Sequence, residues 1–229
     1  MNIEATTIDN LSINKVIDTI DFAKIDTQGA ELDIIKGGEN FFKKNILGLE
    51  VEIEFCELYK NQPLFGDIDK FIREKLGLEL WDINKSNWNF KVAHKKTKSG
   101  KGKVIFGDAL YFRPINNLKY WLKNFDKDKA AYKLTSLLNI VIAYGYVDYA
   151  YTIINENEFK NYISEKEKKY FKHKIQSFNR GILINSKYFN FLYWFFLTLS
   201  NLFKPSYNGW ANRTERQLGT YKKGPFYFY

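Results

Sequence analysis

Cysteine and histidine are nearly absent from this sequence of 229 residues: one thiol, Cys56, and two imidazoles, His94 and His173. A lone cysteine cannot close an internal disulfide, and three such side chains cannot build a Cys/His metal cage, so no metal site is expected and a reducing cytoplasm fits. Proline is scarce as well, at four residues, and the fourteen glycines are dispersed, which argues against low-complexity linkers. The opening "MNIEATTIDN" has neither a basic stretch nor an apolar core, so it does not read as a signal peptide. The net charge of +9 comes largely from lysine. Lysine is a compact hydrated charge, whereas the planar arginine fork is what grips phosphates and base edges. No nucleic-acid partner is expected, and attraction to an anionic sugar, nucleotide or membrane surface is the better reading of the basicity.

Long hydrophobic runs are also missing. The longest uncharged one, "YFNFLYWFFLTLSNLF" at 188–203, has sixteen residues, four of them Asn, Thr or Ser. A membrane span needs roughly 20. The run therefore reads as a buried or partner-covered helix, or as a peripheral contact at a membrane surface, ahead of a true span.

What is present is an ordinary globular balance, 45% hydrophobic and 27% charged, with an aromatic content of 18%. At roughly 100 to 200 residues per domain, the length suits one domain plus an extension. The first half alternates between strand and helix patterns. "DFAKID" (21–26) is a short apolar strand, and residues 31–44 read as a helix interrupted at Gly37 and Gly38. "LGLEVEIEF" (47–55) alternates strictly, with Leu49, Val51, Ile53 and Phe55 on one face and Glu50, Glu52 and Glu54 on the other. A helix follows at about 67–76 with Asp67 as its N-cap, then strands at 78–84 and 103–113. This order predicts an α/β fold whose parallel sheet ends in an antiparallel hairpin. After Pro114 the periodicity is helical to about 175, with a helical hairpin pivoting near Gly145. The expected organisation is an α/β unit at 1–115, an α-helical extension at 116–180, and an aromatic-rich helix and tail at 181–229.

The most informative stretch is "FAKIDTQGAELDIIKGG" at 22–38: a strand, an acid at its end, a glycine turn, and a second acid entering a helix. In an open parallel sheet ligands bind beyond the carboxyl ends of the strands. Asp26 stands there, with Gln28 and Glu31 on the same rim, and Gly29 permits a tight turn or a close approach. Asp26 either serves a site or caps the following helix, and spacing alone leaves both open. The lysines between 85 and 103 are either a solvated hairpin tip or an anion attractor.

Four blocks in order, "TTIDNL", "DFAKIDTQGAELDIIKGGENFF", "LEVEIEFCELYKNQPLFGDIDKFI" and "LELWDI", resemble the second half of FkbM-family methyltransferases. The resemblance covers about residues 5–115. The family pattern around the first strand is met by Lys24, Ile25, Asp26, Gln28, Gly29 and Glu31, the later strand acid by Glu52, and the loop run by Tyr59, Gln62, Pro63, Leu64 and Phe65. It implies a partial class I methyltransferase (Rossmann-like) sheet, S-adenosylmethionine as cofactor, and methyl transfer to a hydroxyl of a saccharide or related metabolite. Asp26 would be catalytic, Asp9, Gln28 and Gly29 cofactor-binding, and Glu31, Glu52, Tyr59 and Gln62 substrate-binding. By the same resemblance "DFAKID" is the fourth strand of the sheet. The glycine-rich cofactor turn would lie upstream, yet no glycine precedes Gly29. The expectation is a truncated chain or a missing half on another chain. The rival expectation is an interaction module without catalysis.

Overall fold

The structure, a computed structural model, describes residues 5–88, 102–178, 187–202 and 211–213. His94 and the lysines at 91–101 lie outside the described residues.

Strand β1 (Phe22–Ile25) pairs in parallel with β2 (Gly48–Glu54). A parallel pair needs a crossover, and helices α2 (Glu31–Gly37) and α3 (Glu39–Asn45) supply it. Beyond β2 the chain crosses through α4 (Phe65–Phe71) and a π-helical turn (Ile72–Leu76) into β3 (Glu79–Trp88) and then β4 (Lys103–Phe112). The return strand β4 inserts between β2 and β3, antiparallel to both, and a three-residue β5 (Ala211–Arg213) adds beside β3. β1, β2 and β3 consequently run in one direction, as the alternating pattern predicts. Which hairpin strand would meet β2 has no local signal.

Two local expectations need correction. α4 starts at Phe65, not at Asp67, and its N-cap is Leu64. Asp67 reaches back from the third helical position, its carboxylate accepting from Leu64 N at 3.0 Å, so the acid stabilises the helix start from inside the first turn. Secondly, the 31–44 helix is two helices meeting at Gly38 rather than one interrupted helix.

The sheet is covered on both faces. Leu49, Val51 and Ile53 are fully buried against Ile35, Phe42, Ile68 and Ile72 of the crossover helices. On the opposite face Phe22, Leu110, Phe112 and Trp81 pack into a second core with α5 (Ile115–Trp121), α6 (Lys127–Ala143), α7 (Val147–Asn155) and α8 (Glu165–Phe178). The α6–α7 turn contains Gly145 at φ +88°, a conformation that glycine adopts without a steric penalty, at the pivot the sequence predicts. The helices after Pro114 thus share a core with the sheet.

Polar ties reinforce that junction. Lys133 is fully buried and donates to Asp21 Oδ1 at 2.5 Å, Thr19 Oγ1 at 2.8 Å and the Asn45 carbonyl at 2.9 Å, so all three ammonium donors are used. Burial pushes its pKa below the ordinary lysine value, with Asp21 pulling the other way. Arg113, equally buried, donates to the Ile46 carbonyl and to Asn117 and lies over the Trp121 ring. A last helix, α9, spans Lys187–Leu202. Among the described residues no helix is long and apolar enough to cross a membrane.

Candidate functional site at the carboxyl ends of β1 and β2

β1 stops at Ile25, leaving Asp26 as the first residue past its carboxyl end. The next turn is unusual in its backbone: Gln28 has φ +59° and Gly29 φ +111°. A glutamine in the left-handed region costs on the order of 1–3 kcal/mol and persists only where its surroundings enforce it. Glu31 does the enforcing. Its buried carboxylate accepts from Thr27 N at 2.7 Å, Thr27 Oγ1 at 3.0 Å and Gly29 N at 2.9 Å. The capping alternative for Asp26 is not realised, because the N-cap of α2 is Ala30 with no side-chain bond.

The strained turn aims one side chain. Gln28 Nε2 donates to Glu52 Oε2 at 2.8 Å and to Asp26 Oδ1 at 3.2 Å, bridging the exposed acid on the rim to a buried acid on β2. Glu52 and Glu54 are 8% and 1% exposed, so the alternating glutamates do not all face solvent. Burial, then the charges of Asp26, Glu54 and Glu31, push the Glu52 carboxyl from 4.5 up to about 7. Burial and the Glu31 charge likewise raise Glu54 to about 7. Gln62 Nε2 makes no hydrogen bond of good geometry, yet its amide is close enough to pull Glu54 part of the way back.

The loop after β2 closes over the same turn. Gln62 Oε1 accepts from Leu58 N and Tyr59 N at 3.1 and 3.2 Å, fixing its own loop. A Cβ on Gly29 would stand 3.1 Å from Gln62 Nε2 and 3.3 Å from the Tyr59 ring, so the glycine is what lets the two loops meet. Tyr59 stays half exposed beside them. Asp26, Gln28, Gly29, Glu31, Glu52, Tyr59 and Gln62 therefore converge.

Asp9 stands apart from this convergence. Its carboxylate accepts from Asn40 N, Asn40 Nδ2 and Phe41 N, joining α1 (Ile8–Ile13) to the first turn of α3. Lys24 salt-bridges Glu50 at 2.9 Å, Asp108 at 3.6 Å and Asp26 at 3.9 Å, so the base that could have met Glu52 serves a neighbouring row instead. Sequence reasoning passed over Glu54 as a site neighbour. The available signal was its place two residues beyond Glu52, on the same strand face.

The arrangement is one exposed acid, Asp26, and three buried ones, Glu31, Glu52 and Glu54, at a strand-end rim, with Glu52 and Glu54 pushed up to about 7. That chemistry suits accepting a proton from a hydroxyl or holding a cationic group. Among the described residues no group of three acids, histidines or cysteines has the placement to hold a metal ion. A groove between α7 and α8, lined by Val147, Tyr151, Thr152, Lys172 and Gln176, shares no residue with the rim.

Residues 1–78 match the family model described as methyltransferase FkbM domain. That segment is similar to the FkbM methyltransferase family over about a third of the chain. The FkbM match takes in α1, β1, β2 and the rim, and stops before β3. The coarse activity attached to it is methyl transfer. No curated protein and no solved structure matches the chain. The mixed sheet, parallel at β1–β2 and antiparallel beyond, is consistent with a methyltransferase-like fold.

Proposed function

We propose that this rim takes part in methyl transfer from S-adenosylmethionine to a hydroxyl of a saccharide or related small metabolite, with Asp26 as the proton acceptor. The observation that carries the reading is the Asp26–Gln28–Glu52 bridge at the carboxyl ends of β1 and β2.

The cofactor, when bound, supplies an electrophilic methyl group on a sulfonium. The donor set fits that end of it: Asp26, Gln28 and Glu52 offer oxygens and partial negative charge to a sulfonium and an ammonium. The adenosyl end would lie over strands added at the open side of β1, where the described sheet ends. Asp26 is exposed and can reach an acceptor hydroxyl. The carboxylate takes up the proton as the oxygen lone pair is committed to the new bond, an assistance worth typically 10²–10⁴-fold. Gln28 orients it, and Glu52, its carboxyl pushed up to about 7 by burial and the neighbouring acids, stands behind the amide as a second acid. Glu31 is a positioning residue that holds the turn. Tyr59 and Gln62, in the loop across the rim, select the acceptor.

The test is transfer of a tritiated methyl group to a panel of mono- and oligosaccharides, with calorimetric titration of S-adenosylmethionine alongside. Transfer that depends on Asp26 supports the reading. Neither cofactor binding nor transfer to any acceptor, with Asp26→Asn indistinguishable from the parent, points to the second reading, a binding module without catalysis. That reading draws on one observation: the sheet ends at β1 among the described residues, so they do not build a surface for the adenosyl group.

A further inference from the structure

We propose that α9, with the basic chain around it, is a peripheral anchor for an anionic lipid bilayer surface. The inference is independent of the methyl-transfer reading.

Two observations meet here. The first is an exposed apolar helix. All of residues 191–199 are exposed. Phe191, Leu192, Phe195, Phe196 and Leu199 follow the i, i+1, i+4, i+5, i+8 spacing that lines one side of a helix. Tyr193, Trp194 and Leu197 fall on the other side, so apolar and aromatic side chains ring the helix. Trp and Tyr set among Phe and Leu are the side chains that settle at the headgroup level of a membrane interface. α9 has 16 residues. At about 1.5 Å per residue it falls short of the roughly 30 Å hydrocarbon core, so it lies on the surface rather than crosses.

The second observation names the occupant. Residues 168–229 carry eleven Lys and Arg and a single acid, Glu215, whereas residues 1–167, with 24 basic and 25 acidic residues, are nearly neutral. The whole excess positive charge lies in the part of the chain that holds α9. It begins on α8, which leads toward α9, with Lys168, Lys169, Lys172 and Lys174. No acid occurs from 168 to 214. A protein surface is a mosaic of both charges and would be met by a mosaic. An uninterrupted cationic stretch around an aromatic helix matches a continuous anionic plane with hydrocarbon beneath it, where each basic residue near the surface adds to the attraction.

The experiment is co-sedimentation of the full chain with phosphatidylserine–phosphatidylcholine vesicles and with phosphatidylcholine vesicles alone. Binding to the anionic vesicles is expected to be at least about tenfold tighter and to weaken with added salt. The double variant Phe195→Glu with Phe196→Glu should lose it by about tenfold or more. It should keep the melting temperature and circular dichroism of the parent, because these residues belong to neither core. Equal binding to both vesicle types, or undiminished binding by the double variant, overturns the proposal. So does a chain that ignores vesicles and sediments as an oligomer that the double variant dissociates. In that case a second copy covers α9.

Discussion

The Gln28 side-chain amide donates at 2.8 Å to Glu52 Oε2, joining a turn residue in left-handed backbone to a buried strand carboxyl 24 residues further on. The same nitrogen reaches Asp26. One amide thus sets the spacing of two acids, and the turn that aims it is held by a third, Glu31. Three consequences for the rim can be measured, and one for the junction behind it.

Asp26 is exposed and takes no part in capping α2, so its removal leaves packing intact. Asp26→Asn should lower methyl transfer by about 10²–10⁴-fold with the melting temperature unchanged. Tritiated-methyl assays paired with thermal melts separate the two. A loss of activity that tracks a loss of fold would count against the assigned role.

Glu52 makes stability depend on pH in a definite direction. Its carboxyl goes from 4.5 to about 7 on folding, chiefly through burial, so between those values the native state holds more protons than the unfolded one. Stability then falls as pH rises through that window, by roughly 1.4 kcal/mol per pH unit at most for this group, and the difference vanishes below 4.5. Glu52→Gln cannot ionise. In urea titrations across pH 4 to 8 it should flatten this fall and be the more stable form at the alkaline end. Should the parent instead gain stability from pH 5 to 7 relative to the variant, the burial argument is wrong.

Gly29 stands at φ +111° under Tyr59 and Gln62. Gly29→Ala must strain the backbone and push the Gln62 amide away. A destabilisation of about 1–3 kcal/mol is expected, with transfer reduced more than cofactor binding because the acceptor loop moves. Denaturant melts and calorimetry report each part.

Lys133 tests the junction between sheet and helices. Lys133→Ala leaves Asp21 without its ammonium partner and the Asn45 carbonyl without a donor. Breaking a buried ion pair from one side costs about 3–5 kcal/mol. Replacement by methionine, which keeps the stem packing, should recover part of that. Equal loss in both variants would show that the charge, not the packing, carries the junction.

Much of this was legible in the residues themselves. Strict alternation over 47–55 put three glutamates on one face of β2 because side chains alternate across any strand. The strand–acid–glycine–acid order of 22–31 located the rim because strand ends followed by tight turns collect there. The helical hairpin at Gly145 and the aromatic helix near 188–203 were equally readable from periodicity. Partners were not. Glu31 reads as a rim residue and is spent on its own turn. Lys24 reads only as part of the strand pattern and pairs with Glu50, Asp108 and Asp26, while Asp9 is tied to α3.

The sequence by itself determined the local geometry of this protein: which stretches are strands or helices, where the chain turns, and where its acids and lysines fall. Only the tertiary structure decided that β4 slides between β2 and β3, that the late helices bury one sheet face, and that an amide from one loop meets a carboxyl from another strand. Backbone geometry repeats every two or 3.6 residues, so a short window of sequence reveals it. Hydrogen-bond partners are chosen when distant segments pack, under the cost of burying a polar group unmatched, and no short window contains both halves of that choice.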